Sequence, residues 1–247
     1  SPPATEQSDV LLIQLPGVDG SFFHFKALDA WLSDLTIYTA SPTDFRTEEW
    51  LSAHAQAVID MSKADQKIIV LGYSAGANLA ACFAHQLETL GRRAAAIVLM
   101  DPGHGRPGDS PNQSPDNAAV VFMASSVMER APDDVDTHML KQALIETFPS
   151  YKPRFEAFDQ MQRIMAGLSA KSPAAACPVL LLISTEPHPT FDDFAGGQKA
   201  EAIYSELFPQ ALVQHIYGTN HITIPYHPDT GLSVVQFINS IRGAARG

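Results

Sequence analysis

With 247 residues, 45% of them hydrophobic, the chain can bury one sizeable core and needs no second domain. A formal net charge of −11, with only 17% charged residues, argues against nucleic acid or an anionic membrane as the main partner. No apolar stretch approaches the roughly 20 residues of a membrane span and no signal-peptide pattern opens the sequence, so a cytoplasmic location is expected.

Residues 1–9, Ser1-Pro-Pro-Ala-Thr-Glu-Gln-Ser-Asp, read as a linker remnant, and residues 10–247 as a domain excised from a longer polypeptide. Short apolar runs then alternate with amphipathic segments, the pattern of an α/β fold whose mostly parallel sheet carries helices on both faces. The first strand, Val10–Leu15, leads into the loop Leu15-Pro-Gly-Val-Asp-Gly-Ser21 and a helical segment over Phe22–Leu32. A strand at Thr36–Ala40 follows. Thr47 can cap the next helix, with Glu48 and Glu49 in its first turn and Trp50, Leu51, Val58 and Ile59 on its buried side. The third strand, Lys67–Leu71, ends directly in Gly72-Tyr-Ser74-Ala-Gly76, after which Leu79, Phe83, Leu87 and Leu90 recur at helical spacing and Gly91 stops the helix.

A fourth strand, Ala95–Met100, ends at Asp101. From about 104 to 176 no strand pattern appears. A polar loop over Gly103 to Gln113 precedes three helical patterns near Asp116–Glu129, Thr137–Phe148 and Arg154–Leu168. This insertion reads as a helical lid, because it departs from a strand end that carries a candidate catalytic acid. Five methionines fall inside it (Met123, Met128, Met139, Met161 and Met165), which suits either a surface adaptable to apolar ligands or ordinary helical packing. Strands at Pro178–Ser184 and Leu212–Tyr217 and a closing helix at Pro228–Ile241 complete the pattern. The two cysteines, Cys82 and Cys177, offer neither a disulfide framework nor metal-ligand spacing and read as small core residues.

The strand–Gly-x-Ser-x-Gly–helix junction is the signature of a nucleophile elbow, with Ser74 on a sharp turn beside the free N–H groups of a helix start. A serine needs a base to become nucleophilic, and the base needs an acid to orient it. On this scaffold the order is Ser, acid, His, each at a strand's C-terminal end. Asp101 is the favoured acid, because it joins directly to a buried strand. Glu186, Asp192 and Asp193 are rivals on the longer loop after the next strand.

Of nine histidines, His221 in Gly218-Thr-Asn-His221 lies where the order requires the base. His215 lies within a strand, His227 in a Pro-flanked turn and His104 beside Asp101; His24, His54, His85, His138 and His188 fit no catalytic strand end. For an oxyanion hole, the backbone N–H of Ala75 and one from the loop after the first strand are expected, with Val18 the favoured donor and Gly20 its rival neighbour.

Together, Leu15-Pro-Gly-Val-Asp-Gly-Ser21, Gly-Tyr-Ser74-Ala-Gly, Val-Leu-Met-Asp101 and Gly-Thr-Asn-His221 resemble the type I thioesterase domains of polyketide and nonribosomal peptide synthases, within the α/β-hydrolase family. The resemblance spans nearly the whole chain, with the lid matched in kind rather than in sequence. It implies a Ser74–His221–Asp101 triad, with the acid on the strand after the nucleophile helix. It also implies a carrier protein, in cis, that delivers an acyl or peptidyl chain on a phosphopantetheine thioester for hydrolysis or cyclisation, as in antibiotic biosynthesis, with no metal or diffusible cofactor. The alternatives are a free-standing carboxylesterase or lipase acting on oxyesters, and a non-catalytic binding protein of the same fold.

Overall fold

A computed structural model of the chain describes residues 8–44, 46–47, 49–104, 137–166, 177–188 and 195–243. Six strands, β1 (Val10–Leu15), β2 (Thr36–Thr39), β3 (Lys67–Tyr73), β4 (Ala96–Met100), β5 (Val179–Ser184) and β6 (Leu212–Ile216), form one sheet in the order β2-β1-β3-β4-β5-β6. Every pairing is parallel. The α/β class expected from the alternating pattern is therefore what the chain builds.

Side chains of the four inner strands point alternately to two cores, as the two-residue repeat of a strand requires. Leu11, Ile13, Ile68, Val70, Ile97, Leu99, Val179, Leu181 and Ile183 face one side. There they meet residues of α2 (Trp50–Met61), α3 (Ala75–Thr89) and α6 (Gly197–Leu207). Val10, Leu12, Ile69, Leu71, Val98, Met100, Leu180 and Leu182 face the other. That layer is closed by α1 (Lys26–Asp29) and α7 (Pro228–Gly243).

Strand ends differ from expectation by two residues at most. The one shift that matters is at β3, which continues through Gly72 and Tyr73 because Gly72 pairs with Leu15 and Tyr73 with Met100. Nor is the segment Phe22–Leu32 one helix. It is a 3₁₀ turn over Phe23–Phe25 followed by the short α1, and its apolar residues Phe22, Phe25 and Leu28 are spaced by three, the 3₁₀ period.

Thr47 does not cap α2; Glu49 occupies that position with no side-chain cap bond, and Thr47 Oγ1 instead accepts from Gln160 Nε2 at 2.8 Å. The stop at Gly91 holds, with φ at +84°, where a Cβ would be strained.

Two helices of the insertion are described, α4 (Thr137–Thr147) and α5 (Tyr151–Ala166). The helix expected near Asp116–Glu129, with Met123 and Met128, lies outside the described residues, as does nearly all of the preceding polar loop. Met161 is buried in the main core and Met165 packs against it, while Met139 is exposed. Thus α5 is seated on the body of the protein by ordinary core packing. Beside it, Leu144, Phe155 and Phe158 form a small separate cluster against which Val18 of the β1 loop packs.

Candidate active site

Parallel strands present all their C-terminal ends on one edge of the sheet, and the candidate residues collect there. Ser74 sits between β3 and α3 at φ 55° and ψ −122°, a conformation that L residues avoid. The flanking glycines make it attainable. A Cβ on Gly72 would collide with the Gly76 carbonyl, and one on Gly76 with the carbonyls of Leu15 and Pro16. Asp101, one strand over, is the other described non-glycine residue with positive φ, at 45°. Its backbone N–H still bonds Leu182 O at 2.8 Å, as that of Ser74 bonds Met100 O at 3.0 Å. Both residues therefore turn sharply while held by the sheet.

His221 joins them. Its Nδ1 lies 2.7 Å from Asp101 Oδ2 and its Nε2 lies 3.0 Å from Ser74 Oγ, all three side chains being buried. An ionised carboxylate only accepts, so Nδ1 carries the hydrogen and Nε2 offers its lone pair to the Ser74 hydroxyl. The candidate base hangs from a loop with its own hardware. Gly218 turns at φ +71°, Thr219 Oγ1 donates to Ile216 O at 2.6 Å, and Asn220 Oδ1 accepts the N–H groups of Ile222 and Thr223 at 3.1 Å. The N–H groups of Thr185 and Glu186 both donate to Thr219 O, tying the loop to the end of β5.

Three further residues shape the site, and sequence reasoning had not singled them out. Ser184, the last residue of β5, donates to Asp101 twice, from N–H to Oδ1 at 2.8 Å and from Oγ to Oδ2 at 3.0 Å. Gly196 precedes α6 at φ +73°, and a Cβ there would collide with the Asp101 carboxylate. Tyr73 stacks on the His221 ring (centroids 5.1 Å apart, 23° between planes) and its hydroxyl donates to His221 O at 2.6 Å. Burial, and after it the nearby charge of Asp101, pushes the Tyr73 phenol well above its ordinary range, so it remains a donor. A signal for Ser184 existed in its place at the strand end next to Asp101; nothing in the sequence marked Gly196.

The rival acids and bases that are described have partners of their own. Glu186 is exposed and its side chain meets the Thr185 hydroxyl; Asp192 and Asp193 lie outside the described residues. His215 pairs with Glu201 at 2.8 Å, and His54 bonds Tyr38 and the Ser41 carbonyl. His104 Nε2 donates to Gly196 O. His24 lies at a tilt against the Tyr73 ring and meets the Tyr226 hydroxyl, and burial lowers its pKa. Cys82 and Cys177 are both pushed up to about 11, chiefly by burial, which keeps them as unreactive thiols.

Of the expected oxyanion donors, Ala75 is the first residue of α3, so its N–H has no partner within the helix. Val18 is the second residue of a turn whose hydrogen bond runs from Gly20 N to Gly17 O, leaving the Val18 N–H unused by the turn. The loop lies beside the elbow, since a Cβ on Gly17 would touch the Tyr73 ring at 3.5 Å. The contacts among Ser74, His221 and Asp101 suit a hydroxyl made nucleophilic by a neighbouring base, with the Ala75 and Val18 N–H groups as candidate oxyanion donors. Among the described residues no group of His, Cys, Asp or Glu is gathered that could hold a metal ion, and no helix is long and apolar enough to cross a membrane.

Comparison with solved structures gives likeness over nearly the full chain. The RedJ thioesterase from the prodiginine biosynthetic pathway in Streptomyces coelicolor is 14% identical, with a TM-score of 0.63 over 98% of this chain and 88% of that one. The SrfTE thioesterase domain, which cyclises the lipopeptide antibiotic surfactin, is 17% identical, with a TM-score of 0.62 over 95% and 93%. ClbQ from the colibactin NRPS/PKS pathway is 14% identical, with a TM-score of 0.65 over 95% and 99%. At such identities the likeness speaks to fold alone. No curated protein matches the sequence. Residues 3–231, most of the chain, match the alpha/beta hydrolase family, and to that family the protein belongs.

Proposed function

We propose that the protein is a serine hydrolase of the chain-releasing thioesterase type, using Ser74, His221 and Asp101. The observation that carries the reading is the position of the acid: Asp101 reaches His221 from the end of β4, the strand immediately after the nucleophile helix. That is the arrangement implied by the resemblance to synthase thioesterases, and two of the similar solved structures named above, RedJ and SrfTE, are themselves thioesterases.

In the proposed reaction a carrier protein presents an acyl or peptidyl chain as a phosphopantetheine thioester. His221 Nε2 takes the proton of Ser74 as Oγ attacks the thioester carbonyl, and Asp101 stabilises the resulting imidazolium. The N–H groups of Ala75 and Val18 hold the oxyanion. Collapse breaks the C–S bond, and His221 returns its proton to the departing sulfur, leaving an acyl-Ser74 ester. Water, or a hydroxyl or amine of the chain, then gives a proton to His221 and attacks that ester, and Ser74 recovers its hydrogen as the product leaves. With a net charge of −11 the protein does not attract an acidic carrier electrostatically, so tethering in cis would supply the local concentration.

The test offers the protein an acyl-pantetheine thioester and a long-chain p-nitrophenyl oxyester, and follows acyl-Ser74 by mass spectrometry. Acylation by the thioester, lost in Ser74→Ala, is expected. Acylation by the oxyester alone would make the protein a carboxylesterase, and acylation by neither would make it a binding protein.

A further inference from the structure

Beside the triad lies a buried charge that the proposed reaction does not use. The Asp19 side chain is only 2% exposed and sits in the loop that carries Val18. Its Oδ1 accepts the Ser21 N–H at 3.0 Å, and its Oδ2 faces Arg154 Nη2 at 3.3 Å. Arg154 belongs to the first turn of α5, and its guanidinium stacks over Tyr151 at 5.4 Å. A carboxylate this buried is costly unless paired, so the position of Asp19 depends on α5 remaining in place.

Two other contacts join the same loop to the same insertion. Gly20, at φ +68°, is wedged so closely that a Cβ would lie 2.8 Å from both Ala157 of α5 and Pro42. Val18 packs against the cluster of Leu144, Phe155 and Phe158. The loop's own turn contributes a single backbone bond, from Gly20 N to Gly17 O. One such bond does not fix an N–H vector, and an oxyanion donor acts only when held within a few tenths of an ångström of its target.

We infer that Asp19 and Arg154 are positioning residues that set the Val18 N–H donor, so that the oxyanion site is complete only while α5 is docked. The insertion then supplies a wall of the oxyanion loop. This inference rests on the hydrolase reading above for its catalytic consequence, but not for its structural part.

The experiment compares wild type with Asp19→Asn, Arg154→Met, Arg154→Lys and the Asp19→Asn/Arg154→Met pair, using whichever ester acylates Ser74. Arg154→Met is expected to lower kcat by about 10- to 100-fold with KM little changed, within the range for a weakened oxyanion donor. The pH of half-maximal kcat should not move, because the triad is untouched. Arg154→Lys should recover part of the loss, and the pair should be no slower than the slower single variant. Additive losses, a shifted pH profile or a change confined to KM would overturn the inference.

Amide hydrogen exchange on the same proteins needs no substrate. Exchange over 17–21 should rise in Arg154→Met while β3 keeps its protection. Unchanged exchange in that loop sinks the inference even where the ester assays succeed. A wild type that turns over neither ester, yet shows the loop response, fails the functional reading and leaves the ion pair's structural role standing.

Discussion

The proposed triad and the proposed oxyanion loop occupy the same edge of the sheet but are held by different physics. Ser74 and Asp101 are fixed by backbone: each stands one residue past a buried parallel strand and keeps a ladder bond to its neighbour, to Met100 O and Leu182 O respectively. The Val18 loop is fixed by side chains that reach it from an insertion: Arg154 on Asp19, Ala157 against Gly20, and the Phe155 and Phe158 cluster on Val18. The difference teaches where change is tolerated. A sheet ladder cannot be retuned by one substitution, whereas a loop braced from an inserted element shifts whenever that element is rebuilt.

The sharpest way to break this contrast is at the triad. Asp101→Asn is expected to lower kcat by about 10⁴-fold, because the amide no longer fixes the His221 tautomer, while Glu186→Gln leaves kcat unchanged. Steady-state kinetics of the two variants decide it, and the opposite ranking would move the acid to the β5 loop. Next, Gly196→Ala puts a methyl group into the Asp101 carboxylate at a backbone φ of +73°. A fall in kcat of about 100-fold is expected from the displaced acid, and an alanine variant of full activity would show that Asp101 is not seated as described.

A smaller effect comes from Ser184→Ala, which removes one charge-assisted hydrogen bond to Oδ2 but keeps the N–H bond to Oδ1. The loss of about 1.5 kcal/mol corresponds to roughly tenfold in kcat.

The smallest effect is on stability. Burial lowers the pKa of His54, so below about pH 6.5 the unfolded chain takes up a proton that the folded one resists. Urea midpoints should therefore fall as the pH drops through about 6.5 and level off below the folded pKa, and His54→Gln should flatten that slope.

Much of this architecture is legible because short continuous apolar runs mark the strands of a parallel sheet buried on both faces. Strand β1 matches the expected Val10–Leu15 to the residue, and the strand ends place Ser74, Asp101 and His221 in an order that the structure brings within hydrogen-bond distance. Local capping was less legible. Thr47 has the right residue type for an N-cap, but its hydroxyl is taken by Gln160, more than a hundred positions away. The segment Phe22–Leu32 carries apolar residues that suit either helix type, and the chain divides it between a 3₁₀ turn over Phe23–Phe25 and the short α1. Gly196 was illegible for a deeper reason. Its role is defined by a carboxylate from another strand, and no local pattern records a steric demand made by a distant atom.

The edge position of β6 carries a further consequence. Among the described residues it pairs only with β5 and is partly exposed along its length, whereas β3 and β4 lie inside the sheet, flanked on both sides. His221 hangs just beyond β6. Partial opening from that edge would remove the base while Ser74 and Asp101 stayed in native surroundings. On warming, activity would then disappear before the tertiary fold does, and cooling would restore it without passage through the unfolded chain.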